Sequence, residues 1–442
     1  MRFGGFWTLA CVVVGVVGVV PASATWSICI ADSETKEIAV GTVTCLTSYD
    51  LLAIVPVVVV EKGAAACQAS GDFDGIRRPI LFDQLVLGTP PEEILVLLSG
   101  ISGHQSRQYG IADTQGRTAT FTGSQAFQWA GGVTGSQGTM VYAIQGNILA
   151  GSCVVPAIEQ AILNTPGDVP EKLMAGMEAA AQTGGDGRCS CSQSYPTSCG
   201  CPPPSFFKAG HIGGMVVARV GDTDDPVCNS GGCADGDYLM RLNVSFQPPN
   251  GLDPVLQLRQ QFDYWRSLHV GRPDAIHSAA GFAPQAIPPN GVTKTQLMIG
   301  LQDWQDLPTT ATILNVSVVH APGSAGLSTI GAITPLGQGQ YAVEMTAGTS
   351  TGMDRLRVTV HDGTRPVTLM PDAVLVYYPL GDLTRDGLVD YGDLERLAAC
   401  LTGPAVPNQG CNPNDYVLCD LDGDGDVDVH DVAGVQAAVG GS

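Results

Sequence analysis

Aromatic side chains are scarce, only 6% of this chain, so its cores must pack largely on Val, Ile, Leu and Ala. Basic residues are also few: 21 Lys and Arg face 42 Asp and Glu, a net charge of -21. Phosphate backbones and anionic lipid repel such a chain, and it has no basic stripe, so nucleic acid is not expected as a partner. Beyond residue 20 no apolar run reaches the ~20 residues that a bilayer span needs. The run "LLAIVPVVVV" (51–60) contains Pro56 and reads as buried strand. Two familiar hydrolytic signatures are missing, the Gly-x-Ser-x-Gly elbow and the His-Glu-x-x-His zinc helix. His104 and His211 have no partner spacing that singles them out.

What is present divides the chain. Its 442 residues suggest about three domains at roughly 150 residues each. The 56 glycines and 29 prolines point to many turns and much sheet. Arg2, the apolar "FWTLACVVVGVVGVV" (6–20) and the small residues Ala22 and Ala24 read as a signal peptide over 1–24. The expectation is a secreted, periplasmic or cell-surface protein that begins at Thr25 and has no membrane attachment after cleavage. Of 14 cysteines, Cys11 leaves with the leader; the 13 that remain cannot all pair within one chain. Cys189, Cys191, Cys199, Cys201, Cys228 and Cys233 crowd one stretch. Their spacing also suits zinc, but export favours disulfides, of a connectivity that spacing leaves open.

The first mature segment, "SICIADSETKEIAVGTVTC", is a hairpin signal, two apolar runs around a polar turn. "AIVPVVVVEKGAAACQA" continues the sheet, and unbroken apolar runs imply strands covered on both faces. "TPPEEILVLLSG" predicts a helix with Thr89 as N-cap, Pro90 at its first position, Glu92 completing a capping box, and Gly100 as its stop. "QYGIADTQGRTATFTG" is a second hairpin. "PEKLMAGMEAAAQTGG" predicts a helix with Leu173, Met177 and Ala180 on one face. "GHIGGMVVARV" and "YLMRLNVSF" are strands. "DPVLQLRQQFDYWRSL" is a helix that opens at Asp253 and Pro254 and buries Val255, Leu258, Phe262 and Trp265. The fold class is α+β, with sheets packed on helices.

Thr25 raises a chemical question. A threonine hydroxyl needs a base, and at a chain terminus its own α-amine, with a pKa near ~8, can be that base. The flanking "TWSICIADSETKEIAVGTVT" resembles the opening of the family catalogued as domain of unknown function 1028, within the N-terminal-nucleophile (Ntn) hydrolase superfamily. "GAAACQA" (63–69), "RQYGIADTQGRTATFTG" (107–123), "WAGGVTG" (129–135), "IQGNILAG" (144–151) and "GGDGR" (184–188) follow in family order. The resemblance covers about 25–268. It implies a four-layer αββα domain with Thr25 as nucleophile at the start of a central strand and no catalytic cofactor. Asn147, or a backbone N–H near Gly146, is the candidate oxyanion donor. Asn147 could equally serve a strand-end turn. Asp186 and Arg188 could orient a substrate carboxylate or amine, or form a structural ion pair. Gln68 is expected on a strand beside Thr25, and Ser27 shares the Thr25 face. The cysteine-rich insert, 189–233, departs from the family pattern and reads as a lid or substrate-binding loop.

From about 270 to 378 short strands alternate with turn residues and no helix signal intervenes, which predicts an immunoglobulin-like β-sandwich. The last block, 380–442, holds two twelve-residue loops, "DLTRDGLVDYGD" and "DLDGDGDVDVHD". Oxygen ligands at positions 1, 3, 5, 9 and 12, with glycine at 6, suit calcium. The first loop offers Asp382, Thr384, Asp386, Asp390 and Asp393. The second offers Asp420, Asp422, Asp424, Asp428 and Asp431, with Asp426 giving its backbone carbonyl. A helix follows each loop. The pair resembles the dockerin type I repeat, which implies structural calcium and a cohesin-like or cell-surface partner.

Two functional classes follow. One is a secreted Ntn hydrolase that cuts an amide bond in a small amide, an isopeptide or a peptidoglycan-type fragment. The other is a non-catalytic extracellular binding or surface-attachment protein that uses the same fold as scaffold. A zinc site in the cysteine insert is a third reading.

Overall fold

The structure is a computed structural model, and it describes residues 25–69, 71–287, 289–378, 381–384, 386, 388–403, 411, 419–420 and 426–439. The leader, Asp422 and Asp424 lie outside the described residues.

In chain order the first domain runs β1 (Thr25–Asp32), β2 (Ile38–Thr44), β3 (Pro56–Val59), β4 (Gly63–Gln68), α1 (Arg77–Leu87), α2 (Pro91–Ser99), β5 (Gln108–Asp113) and β6 (Thr118–Thr122). It continues with β7 (Gly131–Gln137), β8 (Met140–Asn147), α3 (Val154–Asn164), α4 (Val169–Gln182), the short α5 (Gly187–Ser190), β9 (Ile212–Ala218), β10 (Met240–Val244) and α6 (Pro254–Leu268). Six antiparallel strands form one sheet in the order β10-β9-β2-β1-β8-β7, and four form the other, β3-β4-β5-β6. The sheets face each other; α3, α4 and α6 cover the outside of the first, and α1 and α2 the outside of the second.

Strand periodicity explains these layers. Along β1, Trp26, Ile28 and Ile30 enter the core under α3 and α4, while Cys29 and Ala31 enter the core between the sheets. Both faces are therefore covered, as the unbroken apolar runs imply. Each large side chain buried this way stabilises the fold by about 1.5–3 kcal/mol.

The helix at Asp253 forms as expected, with the Asp253 carboxylate accepting from Val255 N. Its other oxygen accepts from Ala209 N at 2.6 Å. The expected cap at Thr89 is corrected: Pro90 is the N-cap of α2, and Thr89 N bonds back to Gln84 O to close α1. The Thr89 hydroxyl meets Gln84 Oε1 at 2.8 Å instead. Helices α1 and α3 carried no expectation. Each has a proline near its start and β-branched or aromatic residues that read as strand.

Five disulfides join Cys45 to Cys189, Cys153 to Cys201, Cys191 to Cys199, Cys228 to Cys233, and Cys400 to Cys411. Cys29 and Cys67 are buried free thiols. The 189–233 stretch is not one excursion, because β9, an inner strand of the six-stranded sheet, lies within it.

A β-rich region follows: β11 (Ala279–Phe282), β12 (Ala286–Ile287), β13 (Lys294–Gly300), β14 (Asn315–His320), β15 (Thr329–Gly337), β16 (Gln340–Thr346), β17 (Gly352–His361), β18 (Pro366–Thr368) and β19 (Ala373–Tyr377). They form two sheets, β11-β13-β16-β15 and β12-β19-β17-β14, with β18 on β17. Leu297, Ile299, Val343, Leu356 and Val358 lie in their common core. Charges join this region to the first domain. Arg219 meets Glu37 at 2.6 Å and Asp274 at 2.8 Å, and Arg272 meets Asp362 at 2.7 Å. The tail contributes α7 (Tyr391–Cys400) and α8 (Val429–Val439).

Candidate active site at the Thr25 strand end

Thr25 is the first residue of β1 and pairs across the sheet with Asn147, the last residue of β8. The Thr25 backbone N–H donates to Asn147 Oδ1 at 3.2 Å. Asn147 is therefore held against the nitrogen that cleavage would convert into an α-amine. At Gly146 an added Cβ would lie 2.6 Å from Leu149 Cδ1, so a larger residue there would have to displace the buried Leu149 side chain.

The chain leaves β8 under strain. Ile148 has a φ of +51°, a conformation that costs a branched residue about 1 kcal/mol or more. Its N–H donates to Phe127 O at 3.1 Å, and its carbonyl accepts from Gly187 N at 3.0 Å. These two bonds tie β8 to both flanking loops.

Beneath Thr25 a polar ladder crosses between the sheets. Gln68, fully buried at the end of β4, donates from Nε2 to Thr25 O at 2.9 Å and to Gln108 Oε1 at 3.0 Å. Gln108 in turn donates to Gly146 O at 2.9 Å. Ser27 Oγ sits 2.9 Å from Thr42 Oγ1 and 2.5 Å from Gln68 Oε1, so it reaches Thr25 through Gln68. Gln108 escaped the sequence reading. Its signal is a glutamine at the head of the otherwise apolar "QYGIA", whose burial only a second sheet reveals.

Asp186 is fully buried and bonds in several directions. It accepts from Cys45 N at 2.7 Å and forms an ion pair with Arg188 at 2.8 Å. The ion-pair reading of this motif therefore describes its geometry, yet Arg188 also lines a cleft. That cleft, about 420 Å³, opens between Phe127, Gln128, Ile148, Arg188, Gln193 and Pro196. It starts one residue beyond Asn147. Gln193 and Pro196 come from the disulfide-tied segment after Cys189, which thus forms one wall. Cys45, bridged to Cys189, directly follows β2.

His211 lies beside the Cys45–Cys189 bridge. Burial pulls its pKa down to about 4, Lys208 and Arg188 add to the fall, and Asp186 opposes it. The imidazole is neutral at working pH, and its buried Nδ1 has no hydrogen-bond partner among the described residues. With Cys45 and Cys189 oxidised, this group offers no thiolate pair to zinc.

A larger cleft, about 1020 Å³, lies at the opposite end of β1 against the β-rich region. Along it Arg357 bonds Asp372 at 2.9 Å, and Lys36 Nζ bonds Thr114 O at 3.1 Å. It belongs to the junction and not to the Thr25 site.

In the tail, the carboxylates of Asp426, Asp428 and Asp431 are buried with oxygens within 4.8 Å of one another. Asp426 contributes its side chain to this group. In the first loop Asp393 accepts from Thr384 N at 2.7 Å and Asp390 N at 2.8 Å, and Asp382 accepts from Asp386 N at 3.2 Å. The loop is wound around its acids. Asp420 is described, and residues 421–425 of the second loop lie outside the described residues.

A threonine heading an inner strand of a sheet layered against a second sheet and helices defines an α+β domain with one candidate nucleophile at its edge. Residues 25–196 match the model of a family of unknown function, DUF1028. A crystal structure of a Silicibacter pomeroyi protein of the same family model is similar at 21% identity and a TM-score of 0.39, covering 55% of this chain and 89% of that one. The Yersinia pseudotuberculosis adhesin InvE is similar at 29% identity and a TM-score of 0.20, covering 23% of this chain and 26% of the adhesin. No curated protein matches the chain.

Proposed function

We propose that this protein is an exported Ntn-type hydrolase that cuts an amide bond, with Thr25 as nucleophile and its released α-amine as base. The observation that carries the reading is the position of Thr25, first in β1 with its nitrogen on Asn147 Oδ1 at 3.2 Å. After leader cleavage the amine removes the Oγ proton as Oγ attacks the carbonyl carbon. The proton passes to the leaving amine, the C–N bond breaks, and an ester forms on Thr25. Water, deprotonated by the same amine, hydrolyses the ester. Asn147 orients the amine through Oδ1 and can offer its amide N–H₂ to the oxyanion. The test is the intact mass and first peptide of the exported chain, followed by treatment with a β-lactone that acylates hydroxyl nucleophiles. A free Thr25 amine and an adduct on that peptide support the reading. A different first residue removes the base, and the binding-scaffold reading takes its place.

Asn147→Ala removes both functions of the side chain. Turnover is expected to fall about 10²- to 10³-fold, measured as kcat/KM on any amide that the unaltered protein cleaves.

The tail is proposed to bind structural calcium and, as a dockerin-like module, to attach the enzyme to a cohesin-like or cell-surface partner, with the β-rich region as an Ig-like spacer. Three buried carboxylates this close repel one another and lose hydration, a cost that a hard cation offsets. Chelation is expected to lower helicity by the share of α7 and α8 and open 381–439 to proteolysis, leaving 25–378 resistant. Circular dichroism with and without calcium checks this; an unchanged spectrum and digest would count against a metal.

A further inference from the structure

The Thr25 reading leaves the substrate open, and the cleft beside Asn147 narrows it. The chain has twice as many acids as bases, 42 against 21. Yet among the described residues that line this cleft Arg188 alone is ionisable, and none is acidic. The rest of the lining is Phe127, Ile148 and Pro196 with the amides of Gln128 and Gln193 and the hydroxyl of Ser194. A volume of about 420 Å³ falls within the range of small-molecule sites.

Arg188 is rigidly placed. Its Nε and Nη2 contact Asp186 at 3.2 and 2.8 Å, and its backbone N–H donates to Asp186 Oδ1 at 3.0 Å. Asp186 is itself fixed by Cys45 N. A guanidinium locked in this way needs little further ordering to meet a planar anion. The facing wall is also fixed. Cys45–Cys189 and Cys153–Cys201 anchor the segment carrying Gln193 and Ser194 at its two ends, and Cys191–Cys199 closes it internally. Gln193 Nε2 lies 3.9 Å from Cys45 Sγ.

We infer that the cleft lined by Arg188, Gln128, Gln193 and Ser194 binds a carboxylate carried on the acyl part of the substrate, so that the amide cut at Thr25 belongs to an acidic acyl group such as a dicarboxylic acid monoamide. This rests on the Thr25 reading for its chemistry, but the anion site can be measured without turnover. The disulfide-pinned segment is then a specificity wall and not a moving lid.

The probe is glutarate, with butyramide as the neutral control, titrated calorimetrically into the full processed chain. Glutaryl- and butyryl-p-nitroanilide are assayed in parallel. Glutarate is expected to bind and butyramide not to. Ser194→Asp, at an exposed position that carries no core contact, is expected to weaken glutarate roughly 10- to 100-fold by placing a like charge in the cleft. Ser194→Asn, which adds the same bulk without the charge, is expected to weaken glutarate less than Ser194→Asp does. Arg188→Gln is expected to lose at least as much, and Ser194→Asp keeps the test valid if that variant fails to fold. Equal binding of glutarate and butyramide, no binding of glutarate, or indifference to Ser194→Asp overturns the inference. Glutarate binding without cleavage of either anilide upholds the anion site and sinks the hydrolase. Cleavage of the butyryl anilide without glutarate binding does the reverse.

Discussion

Thr25→Ala should abolish amide cleavage, with a loss of at least about 10³-fold in kcat, while the domain stays folded. The substitution removes the only hydroxyl that the proposed terminus carries and leaves the Asn147 contact with the backbone nitrogen. Thr25→Ser should retain measurable turnover, since it keeps Oγ and the amine. The pH profile supplies an independent check. Activity of the parent should rise about tenfold per pH unit below the amine pKa near ~8 and level off above it. Full activity in Thr25→Ala, or a profile flat from pH 5 to 9, would end the N-terminal-nucleophile reading.

Arg219→Leu should destabilise the protein by about 3–5 kcal/mol at neutral pH, seen as a drop in Tm of roughly 10 °C. Arg219 is 5% exposed and serves three carboxylates, Glu37, Asp168 and Asp274. Without it they stand together in a dry junction, with Arg266 reaching Asp168 alone among them. The parent should also show a defined pH response. Burial pushes Glu37 up to about 7, Arg219 opposes this, and Asp168 and Asp274 add to it. Between its ordinary 4.5 and about 7 the folded state binds more protons than the unfolded one, so stability from Glu37 falls as pH rises through that window. Asp274 behaves oppositely. Burial would raise its pKa, but the attraction of Arg219 prevails and holds it at about 2 against an ordinary 3.8. Its contribution is full above 3.8 and fades as pH falls towards 2. Glu37→Gln should flatten the upper slope and leave the lower one. Unchanged melting curves from pH 4.5 to 7 in both proteins would contradict this account.

Local signals were legible where local chemistry decides structure. Asp253 and Pro254 start α6 because a side-chain acceptor and a preset φ act within one turn. The hairpin of β1 and β2 follows from two apolar runs around "DSETKE". Thr89 misled because its N–H closes the previous helix, a choice set by the three-residue gap between α1 and α2. The start of α3 gave no helix signal because the β-branched Val154 and Val155 have low helix preference, and packing under the sheet overrides it.

At the site, the sequence by itself determined the nucleophile candidate, the Asn147 and Gly146 pair, the acidic loops and the odd cysteine count, because motifs of contiguous residues carry them. It also set the net charge of -21. Only the tertiary structure decided that Asn147 meets the Thr25 nitrogen across 122 positions, that Gln108 supports Gln68, and which cysteines pair. The same holds for Arg188, which shares a cleft with Gln193 although its carboxylate partner is two residues away. Strand register and sheet stacking make these contacts, and both depend on the burial of whole faces, a sum over many residues that no short motif encodes.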